Sequence, residues 1–134
     1  MKIIIDSNIL IALKVKDERL NNKSKNIIKA FLEGKIKEIH ITDYVLVETV
    51  NFLLKKTNFE ATMEIYELLM KKANITYVNE VMLEKIDELF RKYGDLSITD
   101  CSLIALSSKE NIKEIYSFDS GFDKVRGIVR KEDI

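Results

Sequence analysis

The sequence predicts an α/β fold in which a mostly parallel sheet carries helices on both faces. Three observations predict it. Short apolar runs alternate with segments of helical length along all 134 residues, and Ile3-Ile4-Ile5 is apolar at successive positions, as a strand covered on both sides must be. No proline, repeat, low-complexity tract or Gly/Ser linker marks a boundary, so residues 1–134 are expected to form a single domain. Strands separated by helix-length segments need crossover connections, and hence parallel neighbours.

Lys2–Ile5 reads as the first strand and runs straight into Asp6. A helix follows Ser7-Asn8, and a second covers residues 24–33 until Gly34 stops it. Residues 38–41 form the next strand. Over Asp43–Lys56 the apolar positions Val45, Leu46, Val50, Leu53 and Leu54 recur at helical spacing, with Thr42 placed as the cap. Thr57 and Glu60 form a capping-box pattern that opens another helix, reaching about Ala73. Residues 75–78 read as a strand. Asn79 then caps a helix whose stripe of Met82, Ile86, Leu89, Phe90 and Tyr93 ends at Gly94. Ser97 begins a helix through about Glu110, residues 114–118 form a strand, and residues 127–129 add an edge strand.

Composition removes several chemistries. Cys101 is the only cysteine and His40 the only histidine, so no internal disulfide and no Cys/His zinc site can form. Four glycines include no phosphate-cradling loop, and one histidine gives no Ser/His/Asp triad. The start of the chain lacks the apolar core of a signal peptide and no stretch approaches a membrane span, so the expected compartment is the cytoplasm, with no membrane contact. Lys plus Arg and Asp plus Glu both number 22, and this neutrality counts against a polyanionic partner. Local basic groups soften that objection: Lys23 and Lys25, Lys55 and Lys56, Lys71 and Lys72, then Lys124, Arg126, Arg130 and Lys131. Such runs are usually solvated faces. Only the last lies close in sequence to a candidate site.

Asp6, Glu48, Asp100 and Asp119 are far apart in the chain, yet each adjoins an apolar strand or helix of the same sheet. Ligands of such sheets bind where the strands end at their carboxyl edge. Two unit charges at ~5 Å repel by roughly 3 kcal/mol at an effective dielectric of ~20, so gathered carboxylates call for a cation. Oxygen ligands alone point to Mg²⁺ or Mn²⁺. Such an ion, with open water positions, suits hydrolysis of a phosphodiester.

Each residue also has a plainer reading. Asp6 could be a helix N-terminal charge, but the strand before it drives it to the sheet rim, which favours function. Asp100 completes a capping box with Ser97; against that, it is the only charged residue between Ser97 and Ser108, which tips it toward function. Glu48 falls near Asn51 and Lys55 on a helical wheel, where a solvated glutamate is normal, and pattern alone favours that reading. Asp119, before Ser120-Gly121, is as readily a turn residue as a ligand, and Asp123 likewise. Cys101 reads as a core thiol.

Taken together, Ile3-Ile4-Ile5-Asp6-Ser7-Asn8-Ile9-Leu10, Ile41-Thr42 leading to Val47-Glu48, Leu96-Ser97-Ile98-Thr99-Asp100-Cys101 and Ser117-Phe118-Asp119-Ser120-Gly121-Phe122-Asp123 resemble the PIN domain, over the whole chain and in the family's order. The resemblance is closest to the VapC-type toxins of toxin–antitoxin pairs. It implies a three-layer α/β/α sandwich and a Mg²⁺- or Mn²⁺-dependent ribonuclease with Asp6, Glu48, Asp100 and Asp119 as its acidic residues, Asp123 as an additional ligand, and Ser7, Asn8 and Ser117 holding the carboxylates. It raises Glu48 to a site residue. It also implies a homodimer, and a small antitoxin that inserts a segment into the acidic site. The alternatives are an RNA-processing nuclease or a non-catalytic RNA- or protein-binding module of the same fold. A phospho-receiver domain wants adjacent acids after the first strand and a lysine after a late one, and a haloacid-dehalogenase-like phosphatase wants Asp-x-Asp; Asp6-Ser7-Asn8 and Asp119 supply neither.

Overall fold

The computed structural model describes residues 1–134. Its centre is a five-stranded sheet, β1 (Lys2–Ile5), β2 (Glu38–Thr42), β3 (Asn74–Thr76), β4 (Glu114–Tyr116) and β5 (Val129–Lys131), in the order β3-β2-β1-β4-β5. Every pairing is parallel. Ile3, Ile4 and Ile5 of β1 are fully buried, which is why the unbroken isoleucine run occupies the central strand, while the edge strands β3 and β5 are half-buried or exposed.

Six helices cover the sheet: α1 (Ser7–Ile11), α2 (Glu18–Leu32), α3 (Asp43–Lys56), α4 (Phe59–Lys72), α5 (Glu80–Tyr93) and α6 (Ile98–Glu110). The chain steps from β1 to β2 to β3 in one direction and returns to β4 in the other. Right-handed crossovers therefore put α1 to α4 on one face and α5 and α6 on the opposite one, giving three layers, α/β/α. No helix is long and apolar enough to cross a membrane.

Several boundaries differ from the sequence expectation. Helix α2 begins at Glu18, where Asp17 caps it by accepting from the Leu20 amide, and not at Ser24; its first two turns are polar and show no apolar period. Asn58, not Thr57, caps α4, because the Thr57 hydroxyl instead donates back to the Leu53 carbonyl. Strand β3 stops at Thr76, and the Val78 amide turns away to donate to the Asp43 carboxylate. Strand β4 ends at Tyr116. β5 starts at Val129, since Gly127, at φ +86°, makes the turn that precedes it. A 3₁₀ turn over Ser120–Lys124, not foreseen, follows Asp119.

Register sets the position of the acidic rim. Ile5 pairs with Tyr116, and Ile4 with His40, so extending both ladders brings Asp6 level with Ser117 and Thr42 at the carboxyl ends of three adjacent strands. A buried hydrogen bond of 2.8 Å between the hydroxyls of Thr42 and Ser102 pins α6 onto that end of the sheet. The same Thr42 hydroxyl accepts from the Val45 amide as the cap of α3. One side chain thus locates both helices that carry acidic residues.

Candidate functional site

Asp6 leaves β1 as the N-cap of α1, 3% exposed, with its Oδ1 accepting from the Ser7 amide at 2.7 Å. Its Oδ2 accepts from the Ser117 hydroxyl at 2.7 Å and from the Asn8 amide at 3.3 Å. Ser117 is fully buried and uses its whole bonding capacity: it donates to Asp6 and accepts from Asn8 and from the Asp119 backbone amide. Asn8 closes the network by accepting from the Phe118 amide at 3.1 Å. Ser7 reaches the other way, its hydroxyl donating to Glu48 Oε2 at 2.5 Å. Ser7, Asn8 and Ser117 therefore hold Asp6 and Glu48, and position the backbone of Asp119.

Burial pushes the Asp6 carboxyl up to about 7, against the Ser117 and Ser7 hydrogen bonds that favour its ionised form, and the charges of Asp100 and Glu48 raise it further. Asp100, in the first turn of α6, is half-buried and also shifted upward; burial is again the main cause, opposed by Ser97 and assisted by Asp119 and Glu48. Its Oδ2 accepts from the Ser97 amide at 3.1 Å while the Ser97 hydroxyl accepts from the Asp100 amide at 3.0 Å, so the capping box is formed and the same carboxylate faces the rim charges. The structural and electrostatic readings of Asp100 coexist.

Glu48 is exposed, and the wheel misplaces it for a definite reason. The buried line of α3 runs Val45, Thr49, Leu53, with Val47 and Leu54 half-exposed or more, so the inward face is centred one residue earlier than the apolar letters suggest. That shift brings Glu48 to its edge, within reach of Ser7. Asp119 is exposed beyond the end of β4, and its Oδ1 accepts from the Gly121 amide at 2.8 Å. A side chain at Gly121 would meet Asp119 Oδ1 at 3.1 Å and Leu96 Cδ2 at 3.0 Å, so glycine lets the 3₁₀ turn lie against both.

Asp123 is paired with a cation and makes no hydrogen bond to the Asp6 network. Arg130 grips it with two nitrogens, Nε at 2.8 Å and Nη2 at 3.3 Å, while donating a third bond to the Ser117 carbonyl. Asp123 is therefore neutralised as part of the brace that holds the segment after Ser117. Cys101 is fully buried and its thiol pushed up to about 11, as a core residue should be.

The carboxylates are electrostatic neighbours without forming a finished cage: no three acidic, histidine or cysteine groups of the chain stand close enough to bind one ion as placed. Charges of one sign gathered at a rim repel, and a shared cation lowers that cost. The donor set itself fits a hard divalent cation, being all oxygen, with one carboxylate desolvated and surrounded by like charge. The larger grooves run along α4, beside the start of α2 and beside α5, and none of them is lined by Asp6, Glu48, Asp100 or Asp119.

Comparison with known proteins bears on the fold that carries these residues. The family model described as PIN domain matches residues 3–128. No curated protein matches the chain. Among solved structures, the chain is similar to VapC20 of Mycobacterium tuberculosis, described as a sarcin–ricin loop cleaving toxin, at 20% identity and a TM-score of 0.79, covering 92% of this chain and 95% of that one. A toxin–antitoxin complex from Klebsiella pneumoniae matches at 19% identity and a TM-score of 0.72, over 98% of each chain. VapBC2 of Rickettsia felis, bound to a DNA fragment from its promoter, matches at 16% identity and 0.70, over 98% of each. At such identities these structures establish a shared fold.

Proposed function

The chain belongs to the PIN domain family, and from that premise we propose that it is an endoribonuclease dependent on Mg²⁺ or Mn²⁺, acting as the toxin of a toxin–antitoxin pair. Asp6, Glu48, Asp100 and Asp119 are its acidic residues. One observation carries the reading: Asp6, 97% removed from solvent and next to Asp100 and Glu48, has its proton affinity raised to about pH 7. Burial and like charge disfavour the bare anion, so a cation at this carboxylate would supply the missing counter-charge, in competition with the proton.

Asp6, Asp100, Glu48 and Asp119 would hold the ion, which supplies an activated water and charge stabilisation at the phosphorus. The remaining work falls to the chain. Ser117 and Asn8 orient the Asp6 oxygens, Ser7 holds Glu48, and the Ser97 box holds Asp100, so three of the four carboxylates start from defined positions when an ion draws them together. Asp123, already paired with Arg130, contributes as a brace.

The relatives described as toxin–antitoxin assemblies support a small antitoxin as partner; a homodimer in the cytoplasm completes the proposal. A basic side chain from an antitoxin could neutralise the rim as a cation does. A second reading, a non-catalytic RNA-binding module, draws on the lack of any three ligands in one cage. Cleavage of tRNA, rRNA and mRNA by the purified chain with Mg²⁺ or Mn²⁺ decides between them. The nuclease reading expects products with either ion, none in chelator, and none from Asp6→Asn or Asp100→Asn; equal cutting in chelator, or by both variants, overturns it. Growth arrest on expression, relieved by a neighbouring small protein, tests the toxin assignment.

A further inference from the structure

A neutral protein whose proposed site gathers negative charge must grip RNA somewhere else, and its cations show where. The carboxyl-terminal basic run is mostly spent: Arg130 is held by Asp123 and Glu132, Lys131 by Glu114, and Lys124 by Asp95. Arg126 alone is left over. In space it joins Lys92 of α5 and Lys113, ahead of β4, on one groove of about 400 Å³ between α5, the end of α6 and the loop before β5. None of these three enters an ion pair. Lys85 adds a fourth cation to the wall, 3.9 Å from Glu88, and no acidic residue lines the groove. In a chain with as many acids as bases, this is a locally positive surface on which only Lys85 has an acidic partner.

The groove also holds a ring. Tyr93 lines it, with the Lys92 ammonium 5.3 Å from the ring centroid. Cations free of ion pairs along a groove with an aromatic ring beside them are the makings of a single-stranded nucleic-acid channel, in which phosphates meet charge and a base takes the place of the Lys92 ammonium over the Tyr93 ring. A free phosphate would use the cations but not the tyrosine. Helix α6 connects groove and site: Asp100 stands in its first turn and Asn111, on the groove, caps its end, a separation of roughly 16 Å at 1.5 Å per residue. An RNA strand crosses that distance in a few nucleotides.

We propose that the groove of Lys92, Lys113, Arg126 and Tyr93 is a docking site for a single-stranded stretch of RNA a few nucleotides away from the bond that is cut. This rests on the nuclease reading for its purpose, though not for its binding chemistry. The test is fluorescence anisotropy of a labelled single-stranded RNA in chelator, where no cleavage occurs. The triple variant Lys92→Gln, Lys113→Gln, Arg126→Gln, all exposed positions, is expected to bind at least roughly tenfold more weakly, with the slope of log affinity against log salt reduced by about 2, as three lost phosphate contacts require. Tyr93→Leu is expected to weaken binding by roughly tenfold and leave the salt slope unchanged. Lys25→Gln with Lys29→Gln, on α2, is expected to alter neither. Wild-type affinity and slope in the triple variant would overturn the docking site, as would displacement of the RNA by micromolar inorganic phosphate, which would mark a free-phosphate site. RNA bound through the groove but left uncut with Mg²⁺ sinks the nuclease reading and keeps the groove; RNA cut, yet bound equally by the triple variant, does the reverse.

Discussion

Asp6 concentrates the tension of the molecule in one side chain. Its carboxyl titrates near 7 in the fold and at 3.8 when unperturbed, so between those values the folded chain keeps a proton that the unfolded chain has lost. The fold is therefore destabilised progressively as pH rises from about 4 to 7, by on the order of 4 kcal/mol at the plateau above 7, and suffers no such loss below 4. Asp6→Asn removes the buried charge. In chelator at pH 8 it is expected to melt several degrees higher than the parent by calorimetry while losing all cleavage; a lower melting temperature would refute the burial account. Since the proton and the cation compete for the same oxygens, apparent Mg²⁺ affinity should fall about tenfold for each pH unit below 7, measured by titration calorimetry. Ser117→Ala deletes the hydroxyl that favours the ionised form, and should cost roughly 10- to 100-fold in metal affinity.

The elements matter here through their first turns. Helix α1 begins one residue after Asp6, α3 one residue after Thr42, and α6 two residues before Asp100, so three helix starts meet over the carboxyl ends of β1, β2 and β4. Thr42 links two of them, capping α3 and bonding Ser102 of α6. Thr42→Val is expected to lower unfolding free energy by about 1–2 kcal/mol in denaturant titration, and to reduce cleavage out of proportion because α6 carries Asp100. Unchanged activity in a folded variant would mean that α6 is held by other contacts. Caps were legible in the sequence where one polar residue preceded an apolar period, as at Thr42, Asn79 and Ser97. Asp17 was not, because α2 opens with polar turns, and Thr57 lost to Asn58 because its hydroxyl bonds backward to the preceding helix.

As a whole molecule the chain is read as one domain, and the continuous sheet with β1 at its centre predicts a single cooperative unfolding transition, with far-ultraviolet and near-ultraviolet signals coinciding; two resolved transitions would divide it. Mg²⁺ should raise that transition at pH 8, in proportion to RT ln(1 + [Mg²⁺]/Kd), and leave Asp6→Asn unmoved. The sequence by itself determined the alternation of strands and helices, the isoleucine run at the centre of the sheet, the boxed start of α6 and the set of acids worth watching, because apolar period and capping chemistry are local and print directly on the letters. Tertiary structure alone decided the rest. Strand register set Asp6 beside Ser117, the inward face of α3 brought the still exposed Glu48 within reach of Ser7, and Arg130 took Asp123 as its partner. It also separated paired cations from free ones. Register and helix rotation are long-range outcomes of packing, and residues 41 or 111 positions apart acquire a relation only when the core that lies between them has closed.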